Sequence, residues 1–116
     1  MSEITIYHNP RCSKSRETLK LLEQQGITPT IIEYLKTPPD AATLKGLLQK
    51  LGYSPMQLMR QKESLFTELN IADQPLSDAE LIDIMIAHPK LIERPIVVHG
   101  NKAIIGRPPE QVLTIL

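Results

Sequence analysis

The order of β-like and helical segments at the N-terminus is the feature that most constrains the fold of this chain. Residues 3–8, "EITIYH", alternate and are rich in β-forming side chains, and the Asn9-Pro10 pair ends the strand. Residues 13–26 combine good helix formers with a terminal glycine, and residues 30–34 return to a β-forming pattern. The chain therefore begins with a strand–helix–strand unit, which is typical of α/β proteins.

The middle of the chain is helical. Helices are predicted over residues 40–52, 54–63, 64–71 and 77–88. Thr37, with Asp40 three residues later, is expected to cap the first of them. Ser77 and Glu80 form the capping-box pattern at the start of the last. These helices form an insertion between the second and third strands.

The C-terminal part is predicted to form a β-hairpin followed by a helix. Strands are expected over residues 95–99 and 103–105, joined by a Gly100-Asn101 turn. Pro108-Pro109 is expected to open the last helix. The fold class that follows is α/β, with a four-stranded mixed sheet flanked by helices.

Length and charge exclude several classes of protein. A chain of 116 residues predicts one domain, residues 1–116. Thirteen basic and thirteen acidic side chains cancel, which argues against a nucleic-acid partner held by a general electrostatic field. No apolar run approaches the ~20 residues of a membrane span, and the N-terminal sequence lacks the pattern of a signal peptide. We therefore expect a cytoplasmic protein with no membrane partner.

Cys12 is the only cysteine in the chain, and it has two interpretations. A lone cysteine is more often a small inert residue than a catalyst. Cys12, however, follows a proline-terminated strand and precedes a helix, where free N–H groups and the helix dipole favour a thiolate. Arg11, Lys14 and Arg16 add positive charge, and the Ser15 hydroxyl shares a helical face with the sulfur. Lowering the pKa of a thiol by two units needs about 2.7 kcal/mol, which such groups can supply, so we favour a nucleophile.

The spacing around Cys12 excludes three other kinds of site. Position 15 is serine, so the motif is C-x-x-S and not the C-x-x-C of a dithiol oxidoreductase. Thr18 stands where the C-x5-R phosphate cradle of cysteine phosphatases requires arginine. The histidines at positions 8, 88 and 99 lack the spacing of zinc ligands, so no metal site is expected.

Three arginines far apart in the sequence are candidates for binding an anion. Taken alone, Arg60, Arg94 and Arg107 are each more typical of a solvated surface charge. Arg94 and Arg107, however, flank the two arms of the predicted hairpin and are expected to lie side by side at one sheet edge. A guanidinium group binds a tetrahedral oxyanion through two parallel hydrogen bonds.

Five stretches of the sequence carry a family resemblance: "ITIYHNPRCSKSRETL", "TIIEYLKTPP", "LMRQKE", "HPKLIERPIVV" and "GRPPEQVL". Together they resemble the glutaredoxin-linked arsenate reductases of the ArsC family over essentially the whole chain. The resemblance implies a thioredoxin-like fold. It maps the family's nucleophile onto Cys12 and its anion-binding arginines onto Arg60, Arg94 and Arg107.

The resemblance also implies roles for residues around the cysteine. His8 and Ser15 would help to keep Cys12 ionised, although His8 is also explained as a polar residue that ends a strand. Pro95 would be the cis-proline that thioredoxin folds set against the cysteine loop. Ser13-Lys14 stands where the best-known arsenate-reducing members carry smaller, uncharged residues.

The implied reaction is reduction of arsenate to arsenite. The Cys12 thiolate would attack arsenate, glutathione would add to the adduct, and glutaredoxin would take up the glutathione sulfur. The chain has no second thiol, so the two electrons must come from outside it. Glutathione is then a co-substrate, glutaredoxin is a partner, and no tightly bound cofactor is expected.

Two other functions are compatible with this sequence. Some relatives with this fold are redox-sensing regulators that bind RNA polymerase, although many of those carry C-x-x-C where this chain has C-x-x-S. The second alternative is a glutathione-linked thiol transferase without arsenate activity.

Overall fold

The computed structural model describes residues 3–116, and the chain divides into two compact units. The first unit extends to Thr37 and resumes with Arg94–Leu116, and the second comprises Pro38–Glu93. The second unit is the helical insertion expected from the sequence. That the whole chain forms a single domain stays a prediction.

The first unit contains a four-stranded mixed sheet with the order β2-β1-β3-β4. Its strands are β1 (Ile4–Tyr7), β2 (Thr30–Ile32), β3 (Ile96–His99) and β4 (Lys102–Ile105). Strands β1 and β2 are parallel and are joined through helix α1 (Ser13–Gln24), whereas β1–β3 and β3–β4 are antiparallel. The predicted α/β class is confirmed, and the architecture is that of the thioredoxin-like fold.

The core of the first unit lies against the central strands. Ile6 of β1 pairs with Val97 of β3, and both are fully buried. Leu22 of α1 and Val112 complete the same apolar cluster. Burying side chains of this size contributes about 1.5–3 kcal/mol each, so this cluster holds α1 firmly on the sheet. The N-terminal end of α1 is thereby positioned next to the ends of the strands.

The C-terminal segment differs in type from the prediction. Residues Pro109–Ile115 form a 3-10 helix and not an α-helix. The expected opening by Pro108-Pro109 is confirmed, with Pro109 as the first residue of the helix. Proline is tolerated there because the first residues of a helix need no N–H donor.

The second unit consists of short helices. These are α2 (Ala41–Leu51), α3 (Pro55–Leu58), α4 (Ser64–Glu68) and α5 (Asp78–Ala87), with 3-10 turns over Ile71–Asp73 and Pro89–Leu91. The cap of α2 is Asp40, which accepts a hydrogen bond from Thr43 N at 2.8 Å, so the prediction of Thr37 as the cap was wrong. The capping box of Ser77 and Glu80 is confirmed.

The helix predicted over residues 54–63 ends early. Helix α3 stops at Leu58, and Met59 forms an isolated antiparallel bridge with Ile92. Arg60 N then donates to Leu91 O at 2.7 Å, and Glu93 N donates to Leu58 O at 2.8 Å. These hydrogen bonds join segments remote in sequence, so local helix propensity could not predict them.

No helix found in residues 3–116 has the length and apolar character needed to cross a membrane.

Two glycines offer a matched test of backbone conformation, because a methyl group added at either would meet no atom within 4 Å. Gly46 lies inside α2, whereas Gly26 follows α1 with a φ of +77°. We expect Gly46→Ala to raise the free energy of unfolding by about 0.5–1 kcal/mol and Gly26→Ala to lower it by about 1–2 kcal/mol. Urea denaturation measures both changes, and shifts of the same sign would contradict the expectation.

Candidate active site

Cys12 is the N-cap residue of α1, as its place between a strand and a helix predicts. Its N–H donates to Asn9 O at 3.0 Å, and its carbonyl accepts the first helical hydrogen bond from Arg16 N at 3.0 Å. The side chain is half-buried. The sulfur therefore lies at the end of the helix where backbone N–H groups are free to donate to it.

The pKa of Cys12 is lowered below that of an ordinary thiol. Burial raises this pKa, but hydrogen bonds from the backbone N–H groups of Ser15 and Lys14, together with the charge of the Arg94 guanidinium, more than offset the burial. The thiolate is the nucleophilic form of cysteine, so these groups increase its reactivity near neutral pH.

Arg94 and Arg107 lie together beside the cysteine. Arg107 Nη2 is 3.8 Å from Cys12 Sγ, and Arg107 Nε donates to Arg94 O at 3.0 Å. Strand β3 begins just after Arg94 and β4 ends just before Gly106, and the two strands pair Ile96 with Ile105. The hairpin therefore places these arginines side by side, as the sequence predicts.

Two of the cations near Cys12 in sequence, Lys14 and Arg16, engage other groups. Lys14 Nζ lies 3.6 Å from a carboxylate oxygen of Glu17, and Arg16 Nη1 donates to Pro10 O at 3.1 Å. The charge that lowers the pKa of Cys12 comes instead from Arg94, which is remote in sequence. The basic residues near Cys12 in sequence thus predicted that a positive charge stabilises the thiolate, but not that Arg94 supplies it.

A buried hydrogen-bond network supports the cysteine loop. Ser15 Oγ and His8 Nδ1 share a hydrogen bond of 2.7 Å, and Asn9 N donates to the same Ser15 oxygen at 3.0 Å. Burial lowers the pKa of His8 below its ordinary value; the charge of Glu33 raises it and that of Arg16 lowers it. Burial therefore favours the neutral form of His8. The hydroxyl of Ser15 is engaged in this network, and the group of Ser15 that donates to Cys12 is its backbone N–H.

Arg60 lies in the second unit and forms an ion pair with a carboxylate there. Its Nη1 is 3.2 Å from a carboxylate oxygen of Glu63 and donates to Lys90 O at 3.3 Å. Of the predicted site residues, the first unit brings together Cys12, His8, Ser15, Arg94 and Arg107. Anion binding by Arg60 stays a prediction.

Asn9 belongs to the site, although its place in the sequence predicts only the end of a strand. Its side-chain Oδ1 accepts a hydrogen bond from Arg11 N at 3.0 Å, and its own N–H donates to Ser15. The Asn-Pro pair could have predicted this role, because asparagine side chains commonly close turns by binding the backbone two residues on.

Two peptide bonds before proline are cis. The cis Arg94–Pro95 bond agrees with the resemblance, whereas the cis Arg107–Pro108 bond was not predicted.

Within residues 3–116, no group of three or more His, Cys, Asp or Glu side chains is arranged to hold a metal ion.

Comparisons with known proteins show which proteins the chain is similar to. The ArsC family profile matches residues 7–115. The chain is 52% identical over 114 residues to an arsenate reductase of Haemophilus influenzae, covering 97% of this chain and 98% of that protein. It is 61% identical to the uncharacterized protein YfgD of Escherichia coli (strain K12), covering 98% and 97% of the two chains. A solved arsenate reductase from Vibrio cholerae shares 58% identity and a TM-score of 0.96, covering 99% and 98%.

The contribution of Arg94 to the thiolate can be measured directly, because the chain has a single cysteine to label. We expect Arg94→Gln to raise the pKa of Cys12 and to slow its alkylation by iodoacetamide at pH 7 by roughly threefold to tenfold, since each pKa unit changes the thiolate fraction about tenfold. Arg11→Gln, which removes an exposed arginine next to Cys12 in sequence, is the control and should leave the pH profile unchanged. Equal profiles for the two variants would refute the assignment.

The Ser15 hydroxyl is expected to stabilise the fold. Ser15→Ala leaves the buried His8 Nδ1 and the partly buried Asn9 N–H without their common partner, which costs about 1–3 kcal/mol. Ser13→Ala, at an exposed position of the same helix, should change the free energy of unfolding by less than about 0.5 kcal/mol. Chemical denaturation of the two variants measures the difference, and a Ser15→Ala protein as stable as Ser13→Ala would contradict it.

Proposed function

This chain belongs to the ArsC family, and from that premise we propose that it is an arsenate reductase dependent on glutathione and glutaredoxin. The observation that carries the proposal is the approach of Arg107 Nη2 to within 3.8 Å of Cys12 Sγ at the helix N-terminus. A nucleophile and a cation that binds oxyanions stand side by side there. The relatives named arsenate reductase, at 52% identity and nearly full coverage, support arsenate as the substrate.

In the first step the Cys12 thiolate attacks the arsenic atom of arsenate. A sulfur–arsenic bond forms, and one arsenate oxygen leaves as water after taking up protons. The guanidinium groups of Arg94 and Arg107 bind the remaining oxygens and offset the negative charge of the transition state. Guanidinium suits this role because it stays charged at all working pH values and presents paired donors.

Reduction follows on the arsenic adduct. Glutathione adds through its sulfur, and a second water leaves. The glutaredoxin thiolate then attacks the glutathione sulfur, and a mixed disulfide of glutaredoxin and glutathione forms. The bond between the glutathione sulfur and arsenic breaks, and its electron pair remains on arsenic, which becomes As(III). Hydrolysis of the Cys12–arsenic bond releases arsenite and restores the thiol. The two electrons come from the glutathione and glutaredoxin thiols, so one cysteine in this chain is sufficient.

The remaining site residues act through the cysteine or the oxyanion. His8 and Ser15 are proposed to hold the loop that keeps Cys12 ionised, which is supported by their 2.7 Å hydrogen bond. Arg60 is added to the oxyanion-binding arginines by the family resemblance alone. We further propose that no cofactor is tightly bound and that the reaction takes place in the cytoplasm, where thiol reductants are abundant.

The proposal predicts arsenate-dependent oxidation of NADPH in a reaction that contains the protein, glutathione, glutaredoxin and glutathione reductase. Cys12→Ser should abolish turnover because no nucleophile remains. Arg94→Lys should lower kcat/KM roughly tenfold or more, since a hydrogen bond to a charged group contributes about 1.5–3 kcal/mol. Arg11→Lys, an exposed arginine near the loop, is the matched control and should retain activity.

Two results would contradict this function. One is the absence of arsenate-dependent oxidation at high enzyme concentration, and the other is full turnover by Cys12→Ser. Activity of the wild type on a glutathionylated peptide, without arsenate turnover, would instead indicate a thiol transferase. Mass spectrometry after incubation with arsenate and glutathione identifies the group bound to Cys12.

A further inference from the structure

Three segments of the chain come close together at Gly106. It follows β4 directly and precedes Arg107, and its N–H donates to Pro95 O at 3.0 Å. A Cβ atom built at Gly106 would lie 2.6 Å from Thr18 Oγ1, 3.1 Å from Thr18 Cγ2 and 2.9 Å from Pro95 Cγ. All three distances are shorter than a relaxed contact of a carbon atom, and two of them are below 3.0 Å, so only glycine fits here without a shift of its neighbours.

The atoms around Gly106 have little freedom to move away. Thr18 is fully buried in α1, and its Oγ1 donates to Lys14 O at 2.8 Å, with Gly106 O at 3.4 Å as a longer alternative. A β-branched side chain inside a helix has few rotamers. Pro95 is also buried and has a closed ring. A methyl group at position 106 would therefore displace backbone and not merely the tip of a flexible side chain.

The three segments that meet at Gly106 are the ones that carry the reactive groups. Helix α1 holds Thr18 and, at its N-terminal end, Cys12. Pro95 follows Arg94, and Gly106 precedes Arg107, whose Nε also binds Arg94 O. A shift at Gly106 would thus move both arginines relative to the cysteine.

We propose that Gly106 is a positioning residue for Cys12: its close contact with Thr18 and Pro95 sets the distance of Arg94 and Arg107 from the sulfur. The consequence for reactivity rests on the proposed function, in which these arginines serve the thiolate. Gly106 does not touch the reacting atoms. It acts by letting the end of β4 lie directly against α1.

The test is the pH profile of Cys12 alkylation by iodoacetamide in the full chain. We expect Gly106→Ala to raise the pKa of Cys12 and to slow alkylation at pH 7 about fivefold, because each pKa unit changes the thiolate fraction about tenfold. Thr18→Ala removes the two Thr18 atoms that the new methyl group would meet. The double variant Gly106→Ala/Thr18→Ala keeps the close contact with Pro95 Cγ and should therefore be alkylated faster than Gly106→Ala but more slowly than Thr18→Ala.

Gly46→Ala is the matched control, since the same methyl group there meets no atom within 4 Å. It should leave the alkylation profile unchanged. If Gly106 had only a structural role, Gly106→Ala would lower the unfolding midpoint but leave the alkylation profile of the folded protein as in the wild type. That result overturns the proposal. If Gly106→Ala does not fold, the double variant, which keeps only the contact with Pro95, decides: alkylation slower than that of Thr18→Ala supports the proposal, and an equal rate or failure to fold overturns it.

The measurement separates this inference from the proposed function, because alkylation requires neither arsenate nor glutathione. A wild-type protein without arsenate turnover would remove the proposed reaction and leave the alkylation comparison intact. Normal turnover by the wild type, with identical profiles for the wild type and Gly106→Ala, would remove the positioning role alone.

Discussion

The stabilisation of a half-buried thiolate at the start of α1 is the interaction on which the rest of the site depends. Burial by itself raises the pKa of Cys12, so the ionised sulfur requires groups that donate to it. Two backbone N–H groups of the helix and one remote guanidinium supply that stabilisation. The helix provides its share only because the core cluster around Ile6 and Leu22 fixes α1 on the sheet. Packing in the core is therefore a condition for the chemistry at the surface.

The β-hairpin provides the second half of the site. Residues before β3 and after β4 are neighbours because an antiparallel pair brings the start of one strand opposite the end of the next. Arg94 and Arg107 gain their proximity to Cys12 in this way, and Gly106 lets the hairpin end approach the helix closely. The mixed sheet thus joins a cysteine from the strand–helix–strand unit with cations from the hairpin.

Much of the fold could be predicted from the sequence because its signals are local. The strands, the capping box at Ser77 and the glycine after α1 were all confirmed. The cap of α2 and the type of the last helix were predicted wrongly. Another error occurred where remote contacts decide, because helix α3 ends at Leu58 and Met59 pairs with Ile92. Propensity is a weak guide at such places, since hydrogen bonds across the chain compete with local ones.

The same distinction between local signals and remote contacts applies to the candidate active site. The order of the residues is enough to show that one cysteine stands between a strand and a helix, that serine follows three residues later, and that the sequence has no second thiol. These properties follow from chain order and composition. The folded arrangement of the chain decides that the charge which lowers the pKa of the cysteine comes from Arg94, whereas the adjacent Lys14 contributes through its backbone N–H. Electrostatic stabilisation depends on distance in space, and the side chains of neighbours along a helix point in different directions, whereas a hairpin can carry a distant charge directly to the sulfur.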